Sequence, residues 1–309
     1  MACAYKQRFF VFAVRIPYNM FFIGQDCLQK GVFMLKKFVL GGVAALVLAA
    51  CGNEGGSAAQ SAASAPAAAA EGSLLARIDN KGTVTVGTEG TYAPFTYHDE
   101  SGKLTGYDVE VTRAVADKLG VKVDFKETQW DAMLAGLKAG RFDIVANQVS
   151  LTTPERQATF DKSADYSYSG PMALTRQDDQ RIKTLADVKG LSSAQSLSSN
   201  YGEMAEKAGA KIVPVDGMAQ ARALVQKGRA DFTFNDSLAL LDYLKKNPNS
   251  GLQVAWTAPA DEKIGAGFIV NKGNDEALAK ISGAVEELRA DGTLKKLGEQ
   301  FFGVDVSVK

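Results

Sequence analysis

One pattern occurs twice in this chain, and any fold must accommodate both copies. Ala116-Asp117-Lys118-Leu119-Gly120-Val121-Lys122-Val123 matches Ala205-Glu206-Lys207-Ala208-Gly209-Ala210-Lys211-Ile212, with Gly120 and Gly209 89 residues apart. Lys138-Ala139-Gly140-Arg141-Phe142-Asp143 matches Gln226-Lys227-Gly228-Arg229-Ala230-Asp231, with Gly140 and Gly228 88 residues apart. Each of the latter glycines is followed seven residues later by an asparagine, Asn147 and Asn235. Both units read as helix, Gly-Arg-x-Asp, short apolar strand, polar stop. Two matches at nearly one offset predict two similar α/β lobes. The alternative is coincidence between two common helix-to-strand turns.

The rest of the chain supports an alternating α/β pattern. Thr83 to Gly87 reads as a strand, and Asp99 to Gly102 as a hairpin turn. Asp108 stands where a helix N-cap belongs, and Val111, Val115 and Leu119 repeat at four-residue intervals up to the stop at Gly120. Asp131 to Lys138 reads as a helix with Leu134 and Leu137 on one face. After a strand at Gly267 to Val270, one helix carries Leu278, Ile281, Val285 and Leu288, and a last one carries Leu294, Leu297 and Phe301. These have no counterpart in a tandem pair, so the chain is expected to cross back to the first lobe. Two crossings make a hinge, and the cleft between lobes is the natural ligand site.

Composition removes several classes of function. Lysine plus arginine and aspartate plus glutamate are 35 each, so no basic field points to nucleic acid. The three cysteines, Cys3, Cys27 and Cys51, all precede the folded body, and His98 is the only histidine. Cysteine catalysis, Cys or His metal sites and internal disulfides are therefore not expected in the body, and no cofactor is. The N-terminal region reads as an address. Met34-Leu35-Lys36-Lys37 is basic, Phe38 to Leu48 is apolar, and Leu48-Ala49-Ala50-Cys51 closes with small residues before a cysteine. We expect residues 1–33 to be a mis-called start extension, 34–50 a lipoprotein signal peptide, and 51–73 an anchor and flexible linker. Cys51 is the expected lipidated (palmitate-bearing) residue. The linker, almost entirely Gly, Ala, Ser and Asn, has too little apolar surface to offset its ordering entropy.

The polar stops carry the candidate site, because ligands of open α/β sheets bind beyond the C-terminal strand ends. In the first lobe the stop is Asn147-Gln148-Val149-Ser150, followed by Thr152 and Arg156. The planar fork of Arg156 suits a carboxylate. In the second it is Asn235-Asp236-Ser237. Asp236 opposite Arg156 suits a zwitterion, with the carboxylate taking an ammonium; Asp236 also suits the N-cap of a helix over 237–246. Ser198-Ser199-Asn200-Tyr201 begins another helix, whose N–H groups can share an anion or be capped by their own side chains. Glu89, Tyr92 and Trp130 supply an acid and aromatic walls. Phe95 reads as core, and His98 as surface.

These residues resemble the extracellular solute-binding proteins of amino-acid ABC transporters over roughly residues 78–306. The resembling motifs are Val86-Gly87-Thr88-Glu89-Gly90-Thr91-Tyr92-Ala93-Pro94-Phe95, Gly102-Lys103-Leu104-Thr105-Gly106-Tyr107-Asp108-Val109-Glu110, Trp130-Asp131 with Met133-Leu134, Thr153-Pro154-Glu155-Arg156, and Arg289-Ala290-Asp291-Gly292-Thr293. Glu89-Gly90-Thr91-Tyr92, Trp130 and Asn147-Gln148-Val149 are most similar to the cystine-binding branch. The resemblance implies a two-lobed type II periplasmic-binding fold of two mixed sheets, lobe 1 from 74–168 plus 265–309 and lobe 2 from 169–264. It implies Arg156 on a ligand carboxylate, Asp236 on its ammonium, Ser150 and Ser199 on the same groups, and Tyr92 and Trp130 as walls. The step from Ser150 to Arg156 is one residue longer than usual in the family, so either Ser150 or Thr152 takes the hydroxyl role. Ser198 stands where many relatives have Gly. The implied function is a lipid-anchored, monomeric receptor in the periplasm or cell envelope, not an enzyme, delivering cystine, cysteine or another polar amino acid to a permease and its ATPase. The alternative is a periplasmic dehydratase-type enzyme on the same fold.

Overall fold

The structure is a computed structural model that describes residues 73–309. The expected start extension, signal segment, lipidation at Cys51 and the linker up to residue 72 lie outside the described residues.

Helix α1 (Leu74–Lys81) leads into β1 (Thr83–Thr88). The strands β2 (Thr91–Tyr92), β3 (Thr96–His98) and β4 (Leu104–Thr105) form a small antiparallel sheet beside it. Then come α2 (Tyr107–Leu119), β5 (Lys122–Glu127), α3 (Trp130–Lys138), β6 (Ile144–Val145), α4 (Pro154–Thr159) and β7 (Phe160–Lys162). Strand β8 (Ser167–Ser169) carries the chain to β9 (Pro171–Arg176). A 3-10 turn at Leu185–Val188 precedes β10 (Ser192–Gln195), α5 (Asn200–Lys207), β11 (Lys211–Pro214), α6 (Met218–Gln226), β12 (Phe232–Asp236), α7 (Ser237–Lys246) and β13 (Leu252–Thr257). Strand β14 (Ile264–Ala266) returns to β15 (Ile269–Asn271), α8 (Asp275–Ala290) and α9 (Thr293–Phe302).

Two five-stranded sheets result, ordered β5-β1-β6-β15-β7 and β11-β10-β12-β9-β13. The first three strands of each pair in parallel, and the last two are antiparallel. The recurrence in the sequence is thus one three-stranded parallel unit used twice, within the two-lobed mixed α/β arrangement expected. The Gly-Arg-x-Asp element owes its repetition to a clasp. Asp143 accepts from the backbone N–H (2.9 Å) and hydroxyl (2.6 Å) of Thr85, tying β6 to β1. Asp231 accepts from the N–H (2.7 Å) and hydroxyl (2.6 Å) of Ser192, tying β12 to β10 in the same way. Burial raises the Asp231 carboxyl, but the Ser192 hydroxyl and Arg181 outweigh it and hold the group at about 2.

Helix α2 shows how the sequence orients a lobe. Tyr107, Val111 and Val115 are buried on one face, each contributing roughly 1.5–3 kcal/mol. Gly120 ends the helix in the left-handed region at φ 70°, where a side chain is strained. Asp108 differs from expectation: the N-cap is Gly106, and Asp108 lies in the first turn, fully buried. The reason is a partner elsewhere in the chain, described below. Helices α8 and α9 pack back on α2, with the Phe302 ring 5.2 Å from Tyr107 in an edge contact, so the chain does return to the first sheet. Between the sheets, β8 and β14 pair antiparallel, Ser169 with Ile264 and Ser167 with Ala266. These are the two crossings. Among the described residues no helix is long and apolar enough to cross a membrane.

Candidate functional site

The parallel strands of both sheets end facing one cavity with about 450 Å³ of atom-free space. Glu89, Tyr92, Trp130, Asn147 and Gln148 line it from the first lobe, and Ser199, Asn200 and Tyr201 from the second. Sequence reasoning named all of these. Ser196, Gly217, Met218 and Asn235 line it as well and were not named as site residues. Two of them were within reach: the 88-residue offset that pairs Gly140 with Gly228 also carries Trp130 onto Met218 and Asn147 onto Asn235. The lobes touch across the cavity. The Tyr92 hydroxyl donates to Asn235 Oδ1 at 2.7 Å, so the arrangement is closed.

Each lobe-1 side chain is fixed by a neighbour. Asn147 Oδ1 accepts from the Glu89 N–H at 2.8 Å, and Asn147 Nδ2 donates to Glu89 Oε2 at 2.7 Å. Burial raises the Glu89 carboxyl against the lowering effect of that bond, and the nearby charge of Asp131 adds to the rise. Gln148 has φ 51°, rare for a residue with a side chain. Asp108 holds it there, accepting from its N–H at 2.8 Å and its side-chain amide at 2.6 Å. This explains why Asp108 is no N-cap: its carboxylate reaches across to pin the ligand wall. Burial raises Asp108 to about 7 even so.

Arg156 does not line that cavity; it is only 5% exposed and lines a second one with Asp131, Ser198 and Glu203, and the two share Ser196 and Ser199. Its guanidinium donates to the carbonyls of Ser150 (3.0 Å) and Ser198 (2.6 Å) and stacks 5.6 Å from the Trp130 ring. Among the described residues no carboxylate lies within salt-bridge distance of it; desolvation lowers its pKa. A buried cation without an anion is costly. Trp130 Nε1 is also buried with no hydrogen-bond partner. The Ser150–Thr152 ambiguity has a geometric side. Ser150 is buried against Arg156, whereas Thr152 is exposed and lines a separate groove with Pro171, Leu185 and Met204.

In the second lobe Asp236 N-caps α7, accepting from the Leu238 N–H at 2.8 Å, and the Ser169 hydroxyl donates to its other oxygen. It does not line the cavity, though its neighbour Asn235 does, and no cation lies within salt-bridge distance of it among the described residues. Burial raises it to about 6, against the lowering effects of Ser169, the Leu238 and Ala239 N–H groups and Tyr201. The start of α5 is partly occupied. Asp131 of the first lobe accepts from both the N–H (3.0 Å) and the hydroxyl (2.6 Å) of Ser198, while the Ser199 hydroxyl caps the Tyr201 N–H at 3.2 Å. Ser198 therefore closes the rim of the cleft, and its donors are engaged by the protein itself.

Two similar lobes, two crossings and a cavity enclosed by both strand-end faces define a ligand-binding module that closes on a small solute. The chain belongs to the bacterial extracellular solute-binding proteins, family 3, whose model matches residues 84–304. It is 48% identical to the L-cystine-binding protein TcyA of Bacillus subtilis, over 89% of this chain and 98% of that protein. The L-cystine solute receptor of Neisseria gonorrhoeae, solved in an unliganded open conformation, is 72% identical, covering 77% of this chain and all of that one, with a TM-score of 0.55. An ancestral arginine-binding protein bound to arginine is 36% identical, covering 72% of this chain and 99% of that one, with a TM-score of 0.67. The better geometric match to the ligand-bound chain, at half the identity, fits the contacts seen here between the lobes.

Proposed function

We propose that the chain is the lipid-anchored binding component of an amino-acid ABC importer, taking L-cystine in the interlobe cavity and presenting it to the permease. The observation that carries this reading is a pair of buried charged groups with no ion-pair partner among the described residues. Arg156 has no anion and Asp236 no cation at salt-bridge distance among the described residues. A zwitterionic head between them supplies both, its carboxylate on the Arg156 fork and its ammonium on Asp236. Cystine is preferred to cysteine because a second acid is present. Glu89 lines the cavity and offers a carboxylate for cystine's second ammonium group. The identities with cystine-binding relatives support the same choice.

The two bodies that move are taken to be 74–168 plus 265–309 and 169–264, hinged at β8 and β14. Binding shifts the open arrangement toward the closed one, which the permease reads. Anchoring of the monomer at a bacterial membrane through Cys51 completes the reading. No observation favours the dehydratase alternative. Calorimetry with L-cystine, L-cysteine and the other amino acids tests the proposal. Saturable one-to-one binding strongest for cystine is expected. No binding of cystine removes the ligand, and no binding of any amino acid removes the class.

A further inference from the structure

The hinge strand β8 bears two buried serines two residues apart, hence on one face of the strand. They reach opposite sides of the cleft. The Ser167 hydroxyl donates to Gln148 Oε1 at 3.0 Å, in the first lobe, and the Ser169 hydroxyl donates to Asp236, in the second. Next to them, the Ser237 N–H donates to the Gly170 carbonyl at 2.9 Å, so the start of α7 is tied to the hinge at backbone level too. A crossing strand that only connected two bodies would have no need to place a hydroxyl on the one lobe-2 acid offered to the ligand.

We infer that Ser169 is a positioning residue: its hydroxyl, delivered by the hinge, orients the Asp236 carboxylate and keeps it charged for a ligand ammonium. The inference rests on the reading that Asp236 takes that ammonium. Asp236 has two oxygens and two separate duties. One oxygen caps α7 through Leu238 N–H, and the Ser169 hydroxyl fixes the rotation of the other. The groups facing it from the surrounding elements are Tyr201 on α5, Tyr92 on β2 and, more distantly, Asp108 on α2; none is a cation. The carboxylate therefore relies on neutral donors to stay ionised in a buried place, and Ser169 heads those that lower its pKa. Since β8 is also a crossing, the same bond makes hinge geometry and ligand readiness one event.

The test is the pH dependence of L-cystine binding by the full folded chain, followed by calorimetry from about pH 4.5 to 7.5. With wild type, affinity should fall about tenfold per pH unit once Asp236 takes up its proton, with the midpoint near 6. In Ser169→Ala and in the nearly isosteric Ser169→Cys, the midpoint should rise by about one unit, giving roughly tenfold weaker binding near pH 5.5. At the alkaline end the loss should be smaller. Ser169→Thr, which keeps the hydroxyl, should restore the wild-type midpoint, and Ser167→Ala should not move it. A hinge that merely tolerates serine would change affinity equally at every pH, or not at all, and either result overturns the inference. Asp236→Asn separates the two layers. If it abolishes binding while the Ser169 variants leave the midpoint in place, only the role of Ser169 fails. If it binds cystine like wild type, the ammonium clamp fails and takes this inference with it.

Discussion

Replacing Arg156 with glutamine separates binding from folding more cleanly than any other change in the cleft. In the closed arrangement the guanidinium makes two bonds to carbonyls, Ser150 at 3.0 Å within its own lobe and Ser198 at 2.6 Å across the cleft. Charge-assisted bonds of this kind are worth about 1.5–3 kcal/mol each. Against them stands the desolvation of an uncompensated cation, several kcal/mol for a group this deeply buried. The two nearly cancel, so Arg156→Gln should shift unliganded stability by no more than about 1–2 kcal/mol, a Tm change of a few degrees for a body of this size. Binding is different. A ligand carboxylate drawn into the closed cleft would lose its only cation, at a cost of about 3–5 kcal/mol. Affinity for L-cystine should fall by about two to nearly four powers of ten. Thermal melts without ligand and calorimetry with it measure the two quantities on one sample. A large loss of unliganded stability with affinity retained would refute the reasoning, because it would make Arg156 structural.

Two further outcomes follow from the same geometry. Asp131 holds Ser198 across the cleft through two hydrogen bonds. Asp131→Ala should leave the fold intact but favour the open form, seen as a larger radius of gyration in X-ray scattering and a faster cystine off-rate; an unchanged off-rate would refute the contact as a latch. Asp108 and Asp236 are raised by burial to about 7 and about 6. An acid whose folded pKa exceeds its unfolded one stabilises the fold most at low pH, and that contribution is lost as pH rises through the folded value. At about 1.4 kcal/mol per unit, the roughly two-unit rise of Asp236 is worth about 3 kcal/mol. Unliganded Tm should therefore fall between about pH 5 and 8, and saturating cystine should remove part of the fall by charging Asp236. The acids held low, Asp231 and Asp291 at about 2, act only below about pH 4 and do not interfere. A Tm that rises through this window would contradict the assignment.

Much of this architecture was legible because it is periodic. The doubled Gly-Arg-x-Asp unit predicted two like lobes, and the structure gives both sheets the same order in their three parallel strands, β5-β1-β6 and β11-β10-β12. The purpose of its aspartates was not legible, since Asp143 and Asp231 act on strands about forty to sixty residues away in sequence. Asp108 failed locally for the same reason. Its position reads as a cap, yet a long-range bidentate contact with Gln148 outweighs the local preference. Trp130, Asn147 and Tyr201 announced themselves by residue type at strand and helix ends. Gly217 did not, because a glycine at a helix start carries no chemical signature until the opposite lobe closes on it, and Met218 was marked only by its offset from Trp130. The helix start at Ser198 read as an anion site or a self-capped end; only the position of Asp131 on the other lobe reveals that the Ser198 donors are engaged across the cleft.

The zwitterion clamp is tested most directly by a crystal structure of the L-cystine complex. One cystine head should place its carboxylate about 2.7–2.9 Å from the Arg156 guanidinium and its ammonium on Asp236, with the second ammonium near Glu89. Cystine bound with neither head on Arg156 and Asp236 would contradict the account.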